Sequence, residues 1–228
     1  MDNLIKNRTS QLRGEKEYKM NAKFLVMTNE RLSALFDGVI AIVITLLVLE
    51  LKLPEVQGEG VEILLDDALR GQIPEFIAWF ISFFLTARIW YEQHTIWVYI
   101  SRCDRWSIIF TFLLLAACSL IPFGSHLIGK YPDTPFVILI FSVLVVVNGL
   151  LVAALAAYVI HNDHLHRERG QVMILKTRVI YLTTVVPAIG VFAVFLAYKQ
   201  HPLIGISGWF IEPLALFVYQ QVKGSVKT

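Results

Sequence analysis

The segment that decides the fold of this chain is RLSALFDGVIAIVITLLVLELKLP, from Arg31 to Pro54. Crossing a bilayer as a helix takes roughly 20 predominantly apolar residues, and this segment has that length and character. The Thr28–Glu30 sequence before it supplies candidate N-cap residues, and the proline stops a helix. The segment therefore predicts a first transmembrane helix at residues 31–53.

The rest of the chain repeats this apolar pattern. Of its 228 residues, 56% are hydrophobic, which is more than a soluble domain of this length can bury and enough for about six spans. The predicted fold class is an all-α integral membrane protein. We expect residues 1–30 to form a basic cytoplasmic segment, residues 31–222 the transmembrane domain and residues 223–228 a cytoplasmic tail. The six predicted spans are 31–53, 74–100, 106–128, 135–160, 172–197 and 203–222.

Lysine and arginine are distributed unevenly between the predicted loops. Of the 20 basic residues, Lys52, Arg70, Lys130 and Lys199 lie in loops on one side, and Arg88 lies within the second span. The rest lie in the other loops, at the ends of spans and in the two terminal segments. Short loops rich in these residues stay in the cytoplasm, so both termini are predicted to be cytoplasmic.

Several functional classes lack their sequence signals. The net charge is +2, which does not favour nucleic acid as a partner, and two cysteines cannot make a disulfide framework. No TVGYG filter, GxxxxGK[ST] phosphate loop or HExxH zinc site occurs. His161, His164 and His166 are interpreted as part of a solvated loop. We expect no metal, no cofactor and no enzymatic activity.

The ionisable residues within the predicted spans that need an explanation are Asp37, Arg88, Glu92 and His94. Such a group costs at least about 2.5 to 3.5 kcal/mol in a bilayer, so each needs a partner, a cavity or a function. Arg31, Asp37 and His94 are predicted to form an interhelical polar network. Three roles remain open for it: structural hydrogen bonding between spans, a proton relay, or holding the helices of an ion pathway in register.

An apolar stripe runs along the first predicted helix. Ile42, Leu46 and Leu49 recur at i, i+4 and i+7 and share one face, with Gly38 and Thr45 beside them. A lipid-facing or core stripe is one interpretation. The other is a pore wall, because a symmetric oligomer turns one apolar side chain per subunit into a ring that excludes water.

The first helix resembles the signature of the endosomal and lysosomal potassium-channel family and its prokaryotic relatives. Their usual core reads R-x-x-x-F-S-D-G, and Arg31, Asp37 and Gly38 match it in spacing. Leu35 and Phe36 depart from it, standing where the family has Phe and Ser. A second family pattern, Trp followed by one or two histidines, resembles Trp90 and His94, and Gln93 replaces the first histidine.

This resemblance implies a homotetramer of one-repeat chains in a prokaryotic cell membrane, with the first helix lining a central pore. It implies a leak-like channel for potassium ions that favours potassium over sodium without a carbonyl filter. By position, Ile42 forms the hydrophobic constriction, and Leu46 and Leu49 form wider layers. Thr45 matches a hydroxyl position that helps to discriminate cations.

Two alternatives of other classes stay open. One is a proton-coupled secondary transporter in which Asp37 and His94, with Arg88, form the titrating relay. Such carriers usually show internal repeats, and no similarity between halves is visible here. The other is a structural membrane subunit whose polar network only joins helices.

Overall fold

A computed structural model describes residues 29–52, 61–100, 103–162, 172–199 and 208–209 of the chain. These residues form helices joined by turns, so the predicted all-α class is confirmed. The helices are α1 (Asn29–Leu49), α2 (Val61–Gly71), α3 (Ile73–Tyr99), α4 (Arg105–Cys118), α5 (Ile121–Lys130), α6 (Pro135–His161) and α7 (Val172–Tyr198).

Five stretches of these helices are long and apolar enough to cross a membrane. They are Asn29–Leu49, Ile73–Tyr99, Arg105–Lys130, Pro135–His161 and Leu175–Tyr198. The chain is therefore a multi-pass membrane protein. The sixth predicted span, 203–222, lies outside the described residues except for Gly208 and Trp209.

The third span differs from the continuous helix predicted at 106–128. It is divided after Cys118 into α4 and α5, with a turn at Ser119 and Leu120. Pro122 accounts for the division, because its ring clashes with the carbonyl of the residue four positions earlier, which is Cys118. The first span also ends earlier than predicted, since α1 stops at Leu49.

Helix α1 lies at the edge of the bundle and buries a single face. Its buried side chains are Leu32, Phe36, Ile40, Val43 and Leu47, which pack toward α3, α4 and α5. Helices α6 and α7 pack against each other more extensively than any other pair of the described helices. Among the described residues, most of the circumference of the first helix is therefore left without a packing partner.

Gly129 in α5 lies against the backbone at the start of α3. A Cβ atom at this position would come within 2.9 Å of the Cα atom of Glu75, which only a backbone shift could relieve. We expect Gly129→Ala to destabilise the protein by about 1–3 kcal/mol through overpacking. Thermal unfolding in detergent measures this loss. The control is Gly71→Ala, whose Cβ would meet nothing within 4 Å; equal melting of the two variants would contradict the prediction.

Candidate functional site

The predicted apolar stripe of α1 lies on its exposed side. The exposed fractions are 59% for Ile42, 41% for Leu46 and 67% for Leu49. Successive residues of an α-helix are about 100° apart, so these three lie within one narrow sector of the helix surface. No other described part of the chain covers them.

Small side chains lie beside this stripe, opposite the buried face of α1. Ala34, Gly38, Ala41 and Thr45 are all exposed, and a Cβ at the glycine would meet nothing within 4 Å. The backbone of α1 can therefore be approached closely on this side. Thr45 donates its hydroxyl to the carbonyl of Ile42 at 2.9 Å. A hydroxyl has a single proton, so its oxygen lone pairs remain available as acceptors on the exposed side.

Asp37 is held by an aromatic residue of α3. The indole Nε1 of Trp90 donates to its carboxylate Oδ1 at 2.7 Å. Counting 1.5 Å per residue from Asn29, this carboxylate lies roughly 12 Å along α1. His94 lies one turn after Trp90 and stacks on it, with ring centroids 5.4 Å apart and planes 20° apart. The structure thus brings Asp37 and His94 to the same indole ring.

Trp90 is the member of this group that the predicted polar network omitted. Its spacing of four residues from His94 on one helix was the available signal, because such residues lie on the same face. Arg31, the third predicted member, is exposed in the first turn of α1.

A second polar group is buried between α3 and α7. Arg178 of α7 donates to Glu92 of α3 at 2.5 Å, and their side chains are 10% and 2% exposed. The guanidinium also lies over the ring of Tyr91, 5.4 Å from its centroid. Arg88, one turn before Glu92, is likewise buried. No pattern in the sequence indicates this ion pair, because its two residues are 86 positions apart.

The Leu49 end of α1 is joined to α5 by a third polar contact. Nδ1 of His126 lies 2.9 Å from Oε2 of Glu50, and both side chains are about one-third exposed. The pair lines a narrow cleft between α1, α3 and α5. The other lining residues are Leu47, Leu51, Glu75, Trp79, Ser125 and Gly129.

The histidine-rich loop is described only at its first residue. His161 contacts the carbonyl of Ala157 through Nδ1 at 2.8 Å, within its own helix. The other two histidines, His164 and His166, lie outside the described residues. Within the part of the chain that the structure describes, no three His, Cys, Asp or Glu side chains are placed to hold a metal ion.

Comparison with known proteins gives a consistent set of similarities. Residues 31–122 match the sequence model of the family described as endosomal/lysosomal potassium channel TMEM175. A potassium channel of Streptomyces collinus is 29% identical over 143 residues, which are 61% of this chain and 68% of that protein. A potassium channel of Chamaesiphon minutus is 36% identical over 102 residues, which are 44% of this chain and 49% of that protein.

The overall fold also resembles a solved structure. The crystal structure of a lysosomal potassium-selective channel TMEM175 homolog from Chamaesiphon minutus superposes with a TM-score of 0.71 at 23% identity. The superposition covers 84% of this chain and 97% of that one. The match in sequence thus spans only about half of the Chamaesiphon relative and about two thirds of the Streptomyces one, whereas the shared fold extends over most of the chain.

Proposed function

We propose that this chain, whose residues 31–122 match the family model described as endosomal/lysosomal potassium channel TMEM175, is a member of that family and that four copies assemble into a leak-like potassium channel around their first helices. The proteins it matches are described as potassium channels, which supports a channel and not an enzyme. Potassium ions and the lipid bilayer are its partners in this proposal. The membrane is the cell membrane of a prokaryote, with both termini in the cytoplasm.

The observation that carries the proposal is the composition of the exposed side of α1. The apolar stripe has Thr45 beside it, and Asp37 is exposed about 140° around the helix from Ile42, next to Trp90. An ionisable group at this depth is costly against lipid, so such residues face a bundle interior or a water-filled cavity. A symmetric assembly supplies that cavity by placing the same side of four helices around one axis.

The apolar stripe then supplies the gate. Four Ile42 side chains around an axis form a ring that hydrated ions do not enter when it is narrow, because apolar constrictions expel water. Leu46 and Leu49 form wider layers toward the end of α1 that faces the outside in this orientation. A small rotation or dilation of the four helices wets the ring and admits ions. No carbonyl filter takes part in this mechanism.

Selectivity for potassium over sodium is assigned to Thr45. Its hydroxyl hydrogen bonds within the helix, which directs oxygen lone pairs toward the exposed side one turn from the constriction. Four such oxygens around an axis can replace some of the water molecules that hydrate a cation. Removing that water costs less free energy for potassium, which is more weakly hydrated than sodium. The network predicted for Arg31, Asp37 and His94 holds α1 against α3 around this path, with Trp90 contacting both Asp37 and His94.

Flux through liposomes tests the proposal. Purified protein is expected to assemble as a tetramer of the 25.9 kDa chain and to pass potassium faster than sodium down matched gradients. Native mass spectrometry and ion flux measure the two properties, with protein-free liposomes as the control. A monomer without flux would leave a structural subunit as the function. Saturable flux that is driven by a pH gradient and abolished by Asp37→Asn would identify a proton-coupled transporter instead.

A further inference from the structure

The ion pair between Glu92 and Arg178 joins two helices that make few other contacts. Helix α7 packs extensively on α6, whereas the extensive contacts of α3 are with α1, α5 and α6. The two side chains bridge α3 and α7 at 2.5 Å while almost completely buried. This pair is therefore a specific link in the bundle, separate from the packing of neighbouring helices.

Glu92, the α3 partner of this ion pair, lies two residues after Trp90, which contacts α1. Trp90 and Glu92 point about 200° apart around α3, at 100° per residue. Trp90 bonds to Asp37 of α1, and Glu92 bonds to Arg178 of α7. One short segment of α3 is thus held from two opposite sides by directional polar contacts.

Burial makes the pair sensitive to the position of both helices. Two charges removed from water are stabilised only while their geometry stays close to optimal, and a displaced partner leaves an uncompensated buried charge. The ring of Tyr91 beside the guanidinium narrows the allowed geometry further. A shift of either Glu92 or Arg178 would cost free energy. The ion pair therefore fixes the rotation of α3 about its axis near Glu92.

We propose that Glu92 and Arg178 are positioning residues for the pore, and this inference rests on the proposed function. The pair fixes the rotation of α3, and through Trp90 it sets where Asp37 and the exposed side of α1 stand relative to the axis. Neither residue touches a permeating ion. Their effect on conduction passes through the indole contact.

A double-mutant cycle in the flux assay tests this route. Arg178→Gln is expected to raise basal potassium flux by a factor of about 2 to 30, the usual range for coupling between separated sites. Trp90→Phe, which removes the hydrogen bond to Asp37, is expected to raise it similarly. If the pair acts through Trp90, the double variant matches Trp90→Phe alone; two effects that multiply would overturn the proposal.

The control is another polar link between helices, the hydrogen bond from Tyr158 of α6 to Asp104 before α4. Tyr158→Phe removes it without touching α1 or α3, so basal flux should stay at the wild-type level; an equal rise would overturn the proposal.

If Arg178→Gln fails to assemble, the exchanged variant Glu92→Arg/Arg178→Glu tests the same point. Restored pairing should give wild-type flux, and raised flux would contradict the proposal. Wild-type liposomes without potassium flux would refute the proposed function, whereas flux that responds to Ile42→Asn but not to Arg178→Gln would refute this inference alone.

Discussion

Ile42→Asn is expected to raise basal potassium flux by about tenfold, which corresponds to a barrier lowered by about 1.4 kcal/mol. The reason is the hydration of the constriction. Four isoleucine side chains around an axis expel water, whereas four asparagine amides donate and accept hydrogen bonds and keep the path wet. Potassium flux into liposomes, normalised to the amount of assembled tetramer, measures the change.

Val48→Asn is the matched control for this variant. Val48 is half exposed on the same helix, and six residues at 100° each place it about 120° around the helix from Ile42. We expect it to leave flux unchanged. Equal increases from both variants would mean that asparagine perturbs α1 at any exposed position, and the assignment of the constriction would then be wrong.

Cysteine labelling at Ile42 provides a second readout, because the native cysteines are poor competitors. Burial and, to a lesser extent, the charge of Asp104 raise the pKa of the Cys103 thiol to about 11. At pH 8 only about one such thiol in a thousand is the reactive thiolate. Cys118 is fully buried. A thiol reagent that blocks flux in Ile42→Cys and spares the wild type would place this side of α1 on the ion path.

Arg178→Leu is expected to have the largest effect on stability. It leaves the carboxylate of Glu92, which is almost fully buried, without its cation, and breaking a buried pair in this way costs about 3–5 kcal/mol. Thermal unfolding in detergent, together with the yield of assembled protein, measures the loss. The double replacement Glu92→Leu/Arg178→Leu should recover most of the stability, because apolar substitution of both partners is often close to neutral.

Lys176→Leu serves as the control on the same helix. Lys176 is exposed two residues before Arg178, so its removal should change stability by no more than about 0.5 kcal/mol. If the two single variants unfold alike, the stabilising role of the buried pair is refuted. Equal unfolding of Arg178→Leu and the double variant would show that an unpaired Glu92 carries no penalty.

The sequence predicted the parts of this structure that depend on local pattern. The apolar runs identified the helices that can cross a membrane, and the i, i+4 and i+7 spacing placed Ile42, Leu46 and Leu49 together on one side of α1. Phe36 lies on the buried face of α1. It stands where the resembling family has serine, and its apolar side chain is fully buried in the core.

What the sequence did not predict depends on contacts between distant segments or on a single backbone clash. Glu92 and Arg178 are 86 residues apart, and no periodicity relates them. The contact of Trp90 with Asp37 is not evident from the sequence either, because the indole is uncharged and its N–H has no fixed need for a partner within a span. The division of the third span depends on whether Pro122 breaks a membrane helix or only bends it. The outcome depends on how neighbouring helices satisfy the freed backbone groups.

The separation of α5 from α4 divides the third span mechanically. This ten-residue helix contacts α3 through Gly129 and holds the last turn of α1 through the contact of His126 with Glu50. It therefore links the end of α1 to the start of α3 and is joined to the rest of its span by a single turn. The Glu50 end of α1 is thus tied to α5, whereas Asp37 is tied to α3 through Trp90, so the two ends of the first helix are restrained by different parts of the chain.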